Sequence, residues 1–137
     1  MNILYPALVM FALTMFVQFR LGALRFAAVK KGEIDPRFYK TYQGAEEPEK
    51  LRVHTRHLVN LYEAPILFYA IVIIAFATTQ SGWLPQLLAW LYVLLRIAHS
   101  FVHLGSNKVM LRFRLFVLSL AVLIAMWISV FASLLIS

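Results

Sequence analysis

Residues 115–136 read LFVLSLAVLIAMWISVFASLLI. No side chain in this run is charged. As a helix rising 1.5 Å per residue it reaches about 33 Å, enough to cross the roughly 30 Å hydrocarbon core of a bilayer. It is also far too long for a barrel strand, and helices and closed barrels are the structures whose backbone polar groups are satisfied in lipid. Extended back through Arg112-Phe-Arg114, the run predicts a helix over 110–136. Three similar runs precede it and predict helices over 3–29, 48–79 and 84–104. Gly105-Ser106-Asn107 ends the third helix, the uncharged link TTQSGW joins the second to the third, and the polar loop KKGEIDPRFYKTYQGAEEPEK joins the first to the second. The expected fold is an all-α integral membrane protein, a four-helix transmembrane bundle forming one domain over residues 1–137.

Composition agrees with that reading. The 137 residues are 62% hydrophobic and only 14% charged, whereas soluble domains are nearer half apolar and a quarter charged. A chain this short cannot bury so much apolar surface against itself, so lipid must solvate most of it. The net charge of +7 would suggest nucleic acid in a soluble protein. Here the basic residues cluster at helix ends, so no nucleic-acid partner is expected. With no cysteine, the chain has no thiol nucleophile, thiolate metal site or disulfide of its own, and any thiol must come from a bound compound. The first run lacks a basic leader and is followed by Arg20, Arg25, Lys30 and Lys31, so it is read as a retained helix rather than a signal peptide.

Basic residues gather in or near the 1–2 and 3–4 loops, while the N-terminus, the 2–3 link and Ser137 carry no side-chain charge. The positive-inside rule then puts both charged loops in the cytoplasm and both termini outside.

Ionisable groups inside a span are costly and mark function by default. On the second helix Arg52, Arg56, Asn60 and Glu63 follow i, i+4, i+8, i+11, which puts them within roughly 80° of arc. His54 and His57 point elsewhere. On the third helix Tyr92, Arg96, His99 and His103 fall within roughly 60°, and Arg96 sits about 13 Å below the helix end. Gln18, Arg20 and Arg25 bring the first helix to the same layer, as Arg112 and Arg114 bring the fourth. Glu63 is the one acid within a span and can balance one arginine. The excess predicts an anionic ligand held by guanidinium forks. Lys30, Lys31, Lys108 and Arg114 are read as anchors on lipid phosphate, and Arg20 stays open between anchor and site. The stripe residues have a plainer alternative, a polar network between packed helices. His99 and His103 at i, i+4 have the spacing of a metal pair, but with no cysteine or second acid nearby no metal is expected. Tyr62, Tyr69 and the tryptophans are read as packing or interfacial belt residues.

The pattern Arg56-x-x-x-Asn60-x-x-Glu63 followed by Pro65 resembles the MAPEG family, the membrane-associated proteins of eicosanoid and glutathione metabolism. Arg96-Ile-Ala-His99-Ser-Phe-Val-His103-Leu-Gly105, with Arg112 downstream, is similar to the branch of microsomal prostaglandin E synthase. The resemblance covers the whole chain and implies a bacterial member of the inner membrane. It also implies a homotrimer with glutathione between subunits. Arg25, Asn60, Glu63, His99 and His103 would hold the tripeptide, with Arg56 and Arg96 supporting them, and Arg112 would face the sulfur as the catalytic group. The second substrate, an apolar electrophile or lipid hydroperoxide, would enter from the bilayer. The branch carries tyrosine where this chain has His103 and Phe116. A histidine can still donate a hydrogen bond there and a phenylalanine cannot, which argues against transferring prostaglandin synthase activity itself.

Three readings follow. The first is a glutathione-dependent transferase or peroxidase. The second is a non-catalytic lipid-binding or scaffold protein of the same fold. The third is an unrelated small membrane subunit whose polar stripes only pack or carry protons.

Overall fold

The computed structural model describes residues 2–136, so the terminal Ser137 used in the charge reading lies outside the described residues. Four long helices dominate it: α1 (Leu4–Lys30), α3 (Glu49–Ala77), α4 (Trp83–Leu104) and α5 (Val109–Ile136). A short fifth element, α2 (Phe38–Thr41), lies in the first loop. All four long helices have the length and apolar character to cross a membrane, and the chain is an integral, multi-pass membrane protein.

The helix ends have local causes. Asn2 Oδ1 accepts from the Leu4 N–H at the start of α1. Pro48, with ψ of 142°, is extended and starts α3, where its carbonyl takes the first intrahelical bonds from Leu51 and Arg52. At the end of α4, a Cβ on Gly105 would lie 2.7 Å from the Phe101 carbonyl oxygen, so the turn needs glycine. Asn107, at φ 48°, then turns the chain into α5 through the left-handed region.

α3 and α4 form the central pair. Both touch α1 and α5, whereas α1 and α5 do not touch each other among the described residues. The main core joins Met10 and Val17 of α1, Leu61, Phe68 and Val72 of α3, Tyr92 and Val93 of α4, and Met126 and Val130 of α5. Phe68 and Tyr92 stack with ring centroids 4.5 Å apart. Large apolar side chains such as Phe19, Phe26, Ile73 and Phe101 point outward, as expected where lipid is the solvent.

The first loop is more ordered than its composition suggests. Ile34 and Phe38 bury themselves with Leu21, Ala28 and Leu51 in a second, smaller core. Phe38, Tyr39 and Tyr42 meet edge to face at centroid distances of 5.4–5.9 Å. Two apolar residues four apart are too short a pattern to stand out in a polar stretch, which is why the sequence reads only as loop.

Candidate functional site

The two polar stripes fall at different depths, because the stripe of α4 lies on its buried face whereas the buried face of α3 carries His57, Leu61 and Phe68 instead. The α4 stripe is buried: Tyr92, Arg96, His99 and His103 are all inside the chain. The α3 stripe faces outward. Arg52, Arg56 and Glu63 are exposed and Asn60 is half-buried.

The stripes meet at one cleft of about 300 Å³ where α3, α4 and the start of α5 converge. Arg56, Asn60 and Glu63 form one wall, His99 and His103 a second, and Arg112, Phe113 and Phe116 a third. Six of the eight site residues named from the sequence therefore line it. Arg112 is held by the α4–α5 turn, where its Nη1 donates to Asn107 Oδ1 at 2.7 Å. Arg52 lies off the cleft and pairs with Glu46 at 2.9 Å.

Arg96 stands immediately behind the wall. Its Nη2 donates to Asn60 Oδ1 at 2.5 Å and to the Asn60 carbonyl at 3.1 Å. Its guanidinium lies 5.7 Å from the Phe116 ring centroid, a cation–π arrangement. The side chain is fully buried, yet Nε and Nη1 have no partner among the described residues. Within that set, ion pairs form at Arg25 and Arg52 only. Arg96 is thus a buried cation with no acid against it, and such a group costs several kcal/mol unless it is compensated.

Arg25 belongs to a different cluster. Its Nε donates to Glu47 Oε1 at 3.1 Å, its Nη2 donates to Thr55 Oγ1 at 3.1 Å, and its guanidinium lies 5.2 Å from the Tyr39 ring centroid. Thr55 also donates to Glu47 Oε2 at 3.3 Å. In the single chain Arg25 straps the first loop to α3 and is not among the cleft residues. Arg20 opens instead onto an apolar groove of about 230 Å³ with Phe16, Ile97, Phe101 and Leu104. Tyr62 is exposed, and its hydroxyl donates to Gln18 on α1.

The residue that helix-wheel reasoning passed over is His57. It does point away from the arginine stripe, but into the α3–α4 contact, where it is fully buried. His57 Nδ1 lies 3.0 Å from His103 Nδ1, and His57 Nε2 lies 2.9 Å from Ser100 Oγ. Ser100 Oγ donates in turn to the Arg96 carbonyl at 2.8 Å. The signal was present: His57 shares the i, i+4, i+11 register of Leu61 and Phe68, both core residues.

His57, His99 and His103 bring ring nitrogens within 4.8 Å of one another, a spacing compatible with a metal ion. The setting does not suit one. Arg96 hydrogen-bonds Asn60 beside His99, Arg112 shares the cleft with His99 and His103, and no carboxylate joins the cluster among the described residues. Guanidinium neighbours oppose a cation. They favour an anion, and the cleft offers fork-like donors for one beside a single carboxylate suited to an amine.

A model of the MAPEG family matches residues 3–132 of the chain. No curated protein and no solved structure matches it.

Proposed function

This chain belongs to the MAPEG family, and from that premise we propose that it is a glutathione-dependent transferase or peroxidase of the bacterial inner membrane. The family includes glutathione transferases and peroxidases. The observation that carries the reading is the charge imbalance around the cleft. Arg56 and Arg112 line it, Arg96 lies unpaired behind it, and Glu63 is the one acid among its lining residues. Glutathione has the complementary set: two carboxylates, one ammonium and a thiol. The carboxylates fit Arg56 and Asn60, and the ammonium fits Glu63. His99 and His103 stand at the remaining wall. The supporting positive field of Arg96 reaches the cleft through a medium of low dielectric, where it counts for more than in water.

The thiol supplies the nucleophile this cysteine-free chain lacks. An ordinary thiol has a pKa of about 8.5 and is mostly protonated at neutral pH. A guanidinium at the sulfur stabilises the thiolate, and Arg112 is the group free to do so once Arg56 is engaged. The electrophile, apolar or a lipid hydroperoxide, arrives laterally from the bilayer.

A second copy of the chain completes the site. Glu63 lies fourteen positions into α3, about 21 Å along its axis, and is exposed on the outer face of the chain beside Arg56. Bare contact of those charges with lipid tails would be costly. The cleft, at about 300 Å³, is at the lower end for a small-molecule site. Homotrimer formation covers the face and closes the cleft between subunits. In the same reading both charged loops are cytoplasmic and both termini are outside. A second function, as a non-catalytic lipid-binding or scaffold protein, draws on the apolar groove beside Arg20 and on Phe116, which brings no hydroxyl to the cleft.

Titration of glutathione into the detergent-solubilised protein tests the first reading. Saturable binding at millimolar concentration or below is expected, weakened about 30-fold or more in Glu63→Ala as a buried charge loses its partner. Absence of saturable binding at millimolar glutathione would end the enzyme reading. Failure of cross-linking to trap a trimer would end the shared-site assignment.

A further inference from the structure

We infer that His57 and Ser100 fix His103 in the tautomer that leaves a bare lone pair on Nε2, so that His103, on the wall of the cleft, acts as the proton acceptor for a bound thiol. The hydrogen-bond chain forces this assignment. Ser100 Oγ lies 2.8 Å from the Arg96 carbonyl and 2.9 Å from His57 Nε2. A serine hydroxyl has one proton. Were that proton given to His57, two oxygens would face each other at 2.8 Å with nothing between them. Given to the carbonyl, it leaves Ser100 Oγ to accept from His57, and both contacts are satisfied. His57 therefore carries its proton on Nε2, and its Nδ1 is bare. His103 Nδ1, 3.0 Å away, must then be the donor across that contact. For two neutral rings this leaves His103 Nε2 without a proton. Each of the three contacts then holds one hydrogen.

The chain ends on a backbone carbonyl, which has no proton to pass on. It orients His103 rather than conducting protons. A ring oriented through its other nitrogen is the usual means of setting which histidine nitrogen is reactive. His103 lines the cleft it shares with Arg56, Glu63, His99 and Arg112. A second cleft, beside Lys50 and His54, also reaches it. In this tautomer the proton of His103 is turned to His57. A tyrosine here would offer its hydroxyl proton, whereas this histidine offers a lone pair.

The chemical consequence rests on the thiol reading above. The S–H bond of the bound thiol breaks, its proton forms the N–H bond at His103 Nε2, and the electron pair stays on sulfur. The imidazolium keeps its Nδ1–H directed at His57, and the thiolate is left beside Arg112. His103 is the catalytic base in this step, with His57 and Ser100 as its positioning residues.

The tautomer assignment is tested on the full-length, ligand-free protein in micelles, with ¹⁵N-labelled histidine and long-range ¹⁵N–¹H correlation. His57 should report a proton on Nε2 and His103 a proton on Nδ1, and Ser100→Ala should redistribute both tautomers while leaving the thermal transition of the bundle in place. A proton on His103 Nε2 in the wild type, or rings unmoved by Ser100→Ala, would overturn the assignment. The catalytic step is read separately, from kcat and from the ultraviolet absorbance of bound glutathione thiolate. His103→Phe should lower kcat about 100-fold or more and remove most of the thiolate signal, with a smaller change in glutathione affinity. Full activity in His103→Phe overturns the base assignment. If no glutathione binds, the function proposed above fails and the base assignment fails with it, while the magnetic resonance result still decides the tautomers.

Discussion

Arg112→Ala is expected to lower kcat for glutathione conjugation or hydroperoxide reduction about 100- to 1,000-fold, the usual loss when one preorganised donor to a developing anion is removed. The reason is local. Arg112 lines the cleft from the start of α5, and Asn107 fixes one of its nitrogens at 2.7 Å. In the proposed function the anchored guanidinium would meet the sulfur with little reorganisation. Glutathione affinity should fall less than kcat, because in the proposed function Arg56, Asn60 and Glu63 would still hold the peptide part. Arg112→Lys keeps the charge and loses the planar fork, so it should recover only part of the rate. Steady-state kinetics with a generic electrophile would show this as a kcat effect. Loss expressed wholly in KM would place Arg112 in peptide binding and remove it from the sulfur.

Arg96→Met should separate binding from folding. Arg96 is fully buried with two nitrogens unpartnered and no acid within ion-pair distance among the described residues. Replacing a whole buried ion pair with apolar side chains is often neutral, or stabilising by about 1–4 kcal/mol, and replacing a buried cation that has no acid against it leaves no charge uncompensated. The ligand-free variant should therefore melt at or above the wild-type temperature. The effect of glutathione should be the reverse. A ligand at a hundred times its Kd stabilises a protein by about 2.7 kcal/mol, and the variant should lose most of that gain at the same concentration. Thermal melting of both proteins, with and without glutathione, gives the four numbers needed. A large drop in the stability of the ligand-free variant would instead make Arg96 part of a packing network with Asn60.

How much of this could be read from the chain depends on the range of each interaction. The four spans were legible because lipid makes an uninterrupted apolar run its own signal, as in 115–136. The polar stripes were legible for a similar reason, since Arg56, Asn60 and Glu63 share a face whatever they pack against. Their depth was not. Which stripe is buried depends on which face each helix turns to its neighbours, a tertiary fact. His57 was lost because its wheel position was judged against the arginines, when Leu61 and Phe68 were the relevant neighbours. Ser100 gave no sign at all, because its role depends on a residue 43 positions away. Arg25 shows the same limit. Its partners Glu47 and Thr55 lie 22 and 30 positions along the chain, and no local spacing encodes that choice. Ile34 and Phe38 were hidden by the polar residues around them, although they anchor the first loop.

All of these roles presuppose that a negative ligand answers the guanidinium groups. The most direct measurement compares glutathione with its diester, which keeps the thiol, the ammonium and the peptide but has no carboxylates. Calorimetric titration of each into the solubilised wild-type protein should show the free acid binding about 30-fold or more tightly, as expected when charged partners of desolvated arginines are removed. Equal affinity for the two compounds would mean that Arg56, Arg96 and Arg112 do not recognise an anion, and the electrostatic account of the site would be wrong.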